Sequence, residues 1–180
     1  MKKNFTFLAA IGSLYSSAQN GGGNLHIFND NTNHSLDLYF TLFTIVPSTC
    51  STSIQGIPSG LPLPAGGFAD YTTYAAAAST ATPPNSYPFD TWYTGTAYIT
   101  ASGIPPFVQA QSRWQYMKFE LKDPSNPGTI TPTLGGSVGF YPACGGTPAN
   151  ISGSGTLGAT TYNFSANAFT FGGDLWITVQ

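Results

Sequence analysis

The chain has 180 residues, 41% of them hydrophobic and 14% aromatic but only 7% charged, with a formal net charge of −2. So large an apolar share excludes a disordered tail, and five cations against seven acids exclude the basic footprint of a nucleic-acid partner. Lys and Glu, the usual surface residues of helices, are scarce, while Thr, Tyr and Phe are abundant, so the composition predicts an all-β protein.

Lys2 and Lys3, the apolar run from Phe5 to Leu14 and the small residues Ser16, Ser17 and Ala18 make the three-part pattern of a secretory signal peptide. Cleavage is expected after Ala18. The apolar run is too short to span a bilayer, and no later segment reaches the roughly 20 apolar residues that a spanning helix needs. Residues 19–180 then form a single domain, and the product is secreted to the extracellular space, the periplasm or the cell surface.

In chain order, Asn24 to Phe28 predicts a first strand, closed by the turn-forming run Asn29-Asp30-Asn31-Thr32-Asn33. Ser35 to Val46 predicts a second, with Leu36, Leu38, Phe40 and Leu42 on one face and Asp37, Tyr39, Thr41 and Phe43 on the other. If the turn closes a hairpin, His26 pairs with Asp37. Pro47 to Gly67 is rich in proline, which lacks the amide proton of a ladder, and reads as a long loop. Phe68 to Tyr74 predicts a short strand, Ala75 to Pro84 a loop, and Thr91 to Ala101 one strand with Trp92 and Tyr98 on a common face.

Every cation outside the leader lies between Arg113 and Lys122. Alternation there predicts a central, half-buried strand with Gln115, Met117, Phe119 and Leu121 inward and Trp114, Tyr116, Lys118, Glu120 and Lys122 outward. Ser137 to Tyr141 is a further short strand, Gly145 to Gly158 a mobile Gly/Ser loop, and Thr160 to Thr170 a strand. Leu175, Ile177 and Val179 alternate with Trp176, Thr178 and Gln180 in the last one. Seven or eight strands separated by turn signals predict an antiparallel β-sandwich, with a jelly roll or small barrel as runner-up.

Cys50 and Cys144 each follow a predicted strand in an exported chain, so one disulfide is expected, closing a long loop. His26 and Asp37 would need a nucleophile to make a triad, and the chain has no Gly-x-Ser-x-Gly elbow. Asp30, Asn31 and Asn33 lack the glycine and distal glutamate of an EF-hand loop, zinc spacing is absent, and the glycine clusters lack a phosphate-loop lysine. No metal or cofactor is expected.

Trp92, Trp114, Tyr116 and Trp176 each sit on the less apolar side of a predicted strand, and together they are the candidate ligand-binding set. Core filling is the competing role. The resulting expectation is a secreted, non-catalytic binding module for a glycan or cell-surface component. The alternatives are a secreted hydrolase using Glu120, His26 or an Asp, and a structural or membrane-active surface protein. Burial of Trp114 would remove the main support for this binding surface and put the structural role first.

Overall fold

A computed structural model describes residues 23–180 except 33, 58–59, 73, 75–86, 90, 127 and 140–143. The leader expected at residues 1–18, the loop at 75–84 and the end of the strand expected to reach Tyr141 lie wholly or largely outside the described residues. Among these, the strands in chain order are β1 (Leu25–Asn29), β2 (Asp37–Val46), β3 (Ser51–Ile57), β4 (Phe68–Tyr71), β5 (Thr91–Tyr93), β6 (Tyr98–Thr100), β7 (Arg113–Lys122), β8 (Gly135–Gly139), β9 (Asn150–Leu157), β10 (Thr160–Phe171) and β11 (Asp174–Val179). One sheet has the order β4-β1-β11-β10-β9 and the other β6-β5-β3-β2-β7-β8. All pairings are antiparallel except β1 with β11.

The inward faces supply one continuous core. Leu25, Ile27, Leu175, Ile177 and Val179 come from the five-stranded sheet, and Leu38, Leu42, Met117, Phe119 and Leu121 from the six-stranded one. Phe119 meets Phe164 across the interface edge to face, with centroids 5.6 Å apart. The all-β expectation thus holds, in the two-sheet form that alternating strands demand when each has one dry face.

Several segments depart from the expected elements. β3 lies inside the proline-rich stretch, in a seven-residue window that contains no proline, and it pairs on both edges with β2 and β5. β9 fills most of the stretch expected to be a mobile loop. Its glycines are demanded by packing: a Cβ on Gly153 would fall 2.7 Å from the Phe164 ring, and one on Gly155 would fall 2.4 Å from the Pro132 carbonyl oxygen. The single strand expected over 91–101 is a hairpin that turns at Gly95, whose φ is +94°. A short helix, α1 (Pro106–Gln111), precedes β7 with proline in its first turn, and it was not expected.

The expected β1–β2 hairpin does not form. The two strands belong to different sheets, and β1 pairs instead with β4 and with the last strand, β11. Asn29, fully buried at the end of β1, donates from Nδ2 to the carbonyls of Leu36 (2.8 Å) and Leu63 (2.9 Å). The turn therefore carries the chain from one sheet to the other. The disulfide joins Cys50 and Cys144 as expected, with Cα atoms 5.2 Å apart. It ties the loop after β2 to the loop after β8. Among the described residues no helix is long and apolar enough to cross a membrane.

Candidate functional site

The four aromatic residues singled out in the sequence are not brought together. Trp92 is 0% exposed and Trp114 2% exposed, both inside the sandwich. Tyr116 is half-buried on the outer face of the six-stranded sheet, and Trp176 is half-buried on the outer face of the other. The expected tryptophan surface is therefore corrected to two core residues and two residues on opposite sides of the molecule.

Trp114 turns inward because β7 carries a bulge. Phe43 pairs with Tyr116 and Thr44 with Trp114, so Gln115 is an extra residue on β7 and the alternation shifts by one at that point. β8 accommodates the bulge through Gly139, where a Cβ would lie 2.4 Å from both the Gln115 carbonyl oxygen and the Tyr116 Cβ. A matching irregularity on β3 is closed by buried Thr44, whose Oγ1 donates to the Ile54 carbonyl (3.0 Å) and accepts from the Ile54 amide (3.1 Å). Trp92 takes the inward face of β5, paired with Gly56, and the reversal after Tyr93 pairs Tyr93 with Tyr98 on the outer side, so Tyr98 does not share the face of Trp92. Inside, Trp114 meets Tyr74 at 4.4 Å and Trp92 at 6.3 Å. Burial raises the Tyr74 phenol well above its ordinary range.

Outside, the ladder pairings align Tyr98, Tyr93, Gln55, Phe43 and Tyr116 in one row across β6, β5, β3, β2 and β7. Four strand spacings of about 4.8 Å make this row about 19 Å long. Phe43 and Tyr116 stack with centroids 4.2 Å apart and planes at 8°. Rings stacked on each other across adjacent strands stand up from the sheet, so they form a wall and not a flat platform. Desolvation raises the Tyr116 phenol above its ordinary range, which keeps it neutral. Tyr98, at the other end, is 69% exposed.

Beside this wall runs an open trough of about 470 Å3, lined by Tyr39, Thr41, Phe43, Gln55, Lys118 and Glu120 among others. Thr41 and Lys118 are paired across β2 and β7 and form its floor, with Ser137 of β8 next in the same line. Tyr39 and Glu120 form the second wall, four residues along the strand from Phe43 and Tyr116, or about 13 Å. Lys122 braces that wall, 3.2 Å from Glu120 and with its Nζ 5.0 Å from the Tyr39 ring centroid. Aromatic walls, a hydroxyl and ammonium floor, a carboxamide and a carboxylate can grip a polar ligand that has apolar faces.

On the five-stranded sheet, Phe68, His26, Trp176 and Phe169 form a stacked series over β4, β1, β11 and β10. His26 lies 4.0 Å from Trp176 and 6.0 Å from Phe68, and Phe169 lies 6.5 Å from Trp176. Asp70 bonds the Nδ1 of His26, and Asp174 bonds its Nε2 at 3.1 Å. The partner expected for His26, Asp37, is thus replaced by two aspartates distant in sequence, because β1 pairs with β4 and β11. Partial burial pushes the Asp174 carboxyl up, but hydrogen bonds from His26 and Asn24 outweigh it and hold the group below the usual carboxylate range. With both ring nitrogens engaged by carboxylates, His26 presents neither to a nucleophile or substrate. Among the described residues no group of three or more His, Cys, Asp or Glu side chains is arranged to hold a metal ion.

Compared with protein-family models, with curated proteins and with solved structures, the chain has no match. Its functional reading rests on its own residues.

Proposed function

We propose that the protein is a secreted, non-catalytic binding module that holds a glycan in the trough on the outer face of the six-stranded sheet. The observation that carries this reading is the cross-strand row Tyr98-Tyr93-Gln55-Phe43-Tyr116 beside a floor of Thr41 and Lys118. Sugars combine hydroxyls with apolar C–H faces, and a wet groove with aromatic walls and a few polar side chains suits both. Secretion is supported by the signal-like pattern of residues 1–18 and by the disulfide. Binding of the mature protein to an array of extracellular glycans tests the proposal. Saturable retention of at least one glycan is expected, and retention of none overturns it.

Burial of Trp114 puts a structural role ahead of the tryptophan surface, as the sequence criterion requires, and binding is proposed here on the trough alone. Trp92 and Trp114, on which the sequence-based binding surface depended, are core residues. The tryptophan form of the binding hypothesis is discarded, and the trough is lined by a different set of residues, with Tyr116 beside it through its stack on Phe43.

A further inference from the structure

A second concavity lies away from the trough, at the rim of the five-stranded sheet. It is an open hollow of about 370 Å3 lined by Asn31, His34, Asn163, Phe164, Ser165 and Gln180. That volume falls in the range of small-molecule pockets, about 300 to 1,000 Å3. Three separate segments converge there, and backbone bonds fix their positions. The Asp30 amide donates to the Val179 carbonyl (2.6 Å), and Ser165 and Gln180 exchange both backbone hydrogen bonds (2.8 Å each).

The chemistry of the lining is specific. No carboxylate, lysine or arginine is among these residues, whereas three carboxamides and a hydroxyl are. Carboxamides and hydroxyls both donate and accept, which matches a ligand whose own groups do the same. A phosphate or carboxylate ligand would find no lysine or arginine, and a metal ion no carboxylate, among these residues, whose remaining polar side chain is the imidazole of His34. Gln180 donates from Nε2 to Asp30 Oδ2 at 3.4 Å, which leaves its Oε1 as an acceptor.

Two asparagines in the turn after β1 sharpen the point. Asn29 is satisfied on both sides: its Nδ2 donates to two carbonyls, and its Oδ1 accepts the Asn31 amide at 3.3 Å. Asn31 is only 3% exposed, yet its Oδ1 has no partner among the described residues. A buried acceptor left without a donor is unfavourable, and in folded proteins such an atom is normally met by water or by a ligand.

We propose that this hollow is a binding site for an uncharged sugar residue, held by hydroxyl contacts to Asn163, Ser165 and Gln180 with Asn31 at its base. It lies on the opposite sheet from the trough, so it stands or falls independently of the glycan reading above. The test is a 1H–15N NMR titration of the mature protein with D-glucose, D-galactose, D-mannose and N-acetyl-D-glucosamine in turn. At least one should give saturable shifts at the amides of Asn31, Ser165 and Gln180. Asn163→Leu and Gln180→Leu, both at exposed positions, should weaken that binding about tenfold or more while leaving the urea midpoint in place. Tyr116→Ala should leave it unchanged. No saturable shift with any of the four sugars would overturn the proposal, as would shifts confined to the Tyr116 face or binding that both leucine variants retain.

Discussion

The inner and outer faces of the six-stranded sheet use aromatic rings in opposite ways. Inside, the buried rings of Trp92, Trp114, Tyr74 and Phe89 interlock at tilted or edge-to-face angles. Outside, Tyr98, Tyr93, Phe43 and Tyr116 stand in a row beside an open trough. Trp114 and Tyr116 are two residues apart, yet the Gln115 bulge sends the first to the core and leaves the second at the surface. A ring's size does not decide its role; the register of its strand does.

The largest loss of stability should come from the covalent tie at the end of the sheet. A Cys50→Ala/Cys144→Ala double variant releases a loop spanning 94 residues, and chain entropy puts the expected loss at roughly 4 to 5 kcal/mol. Its urea midpoint should fall accordingly; a midpoint equal to that of the oxidised protein would remove the staple from the account. Trp114→Ala comes next, at about 3 to 5 kcal/mol, the range of large core truncations. If that variant unfolds at the wild-type midpoint, the division between inner and outer rings is broken.

His26→Ala addresses the other outer face, where a stacked ladder takes the place of a trough. Loss of two contacts to half-exposed carboxylates should lower stability by about 1 to 2 kcal/mol. The same face should respond to acid. Asp174 has a folded-state pKa below its ordinary value of 3.8. Its contribution is therefore complete above that value and lost as pH falls through the folded-state value. The urea midpoint should drop on acidification below about pH 4, and less steeply in His26→Ala, which lacks the main hydrogen bond holding that pKa down. Equal slopes for the two proteins would detach the effect from this clamp. The smallest change belongs to the trough floor: Lys118→Ala should alter stability by less than about 0.5 kcal/mol, as an exposed side chain with no packing role.

Much of the scaffold was legible in the sequence because it depends on local alternation. β1, β2, β11 and the part of β7 from Tyr116 to Lys122 follow their apolar pattern, and the two cysteines met as expected. β3 was hidden because the prolines around it dominate the composition of the stretch. β9 was hidden because its glycines, which look like flexibility, are places where Phe164 and Pro132 come too close for a side chain. The site was less legible. Its row joins residues from Phe43 to Tyr116 through four ladder pairings, and local alternation does not reveal which strands become neighbours. The His26–Asp70 and His26–Asp174 contacts were missed for the same reason, and the bulge at Gln115 leaves no composition signal.

The central claim is that the outer row, and not the buried tryptophans, contacts a ligand. Its most direct test is a paired titration of the wild-type mature protein and Tyr116→Ala against a glycan retained on the array, with the unfolding free energy of both measured in urea. The expected result is a loss of affinity of about tenfold or more in the variant, with stability lowered by about 1 kcal/mol or less from the lost stack on Phe43. Unchanged affinity in Tyr116→Ala would contradict the account.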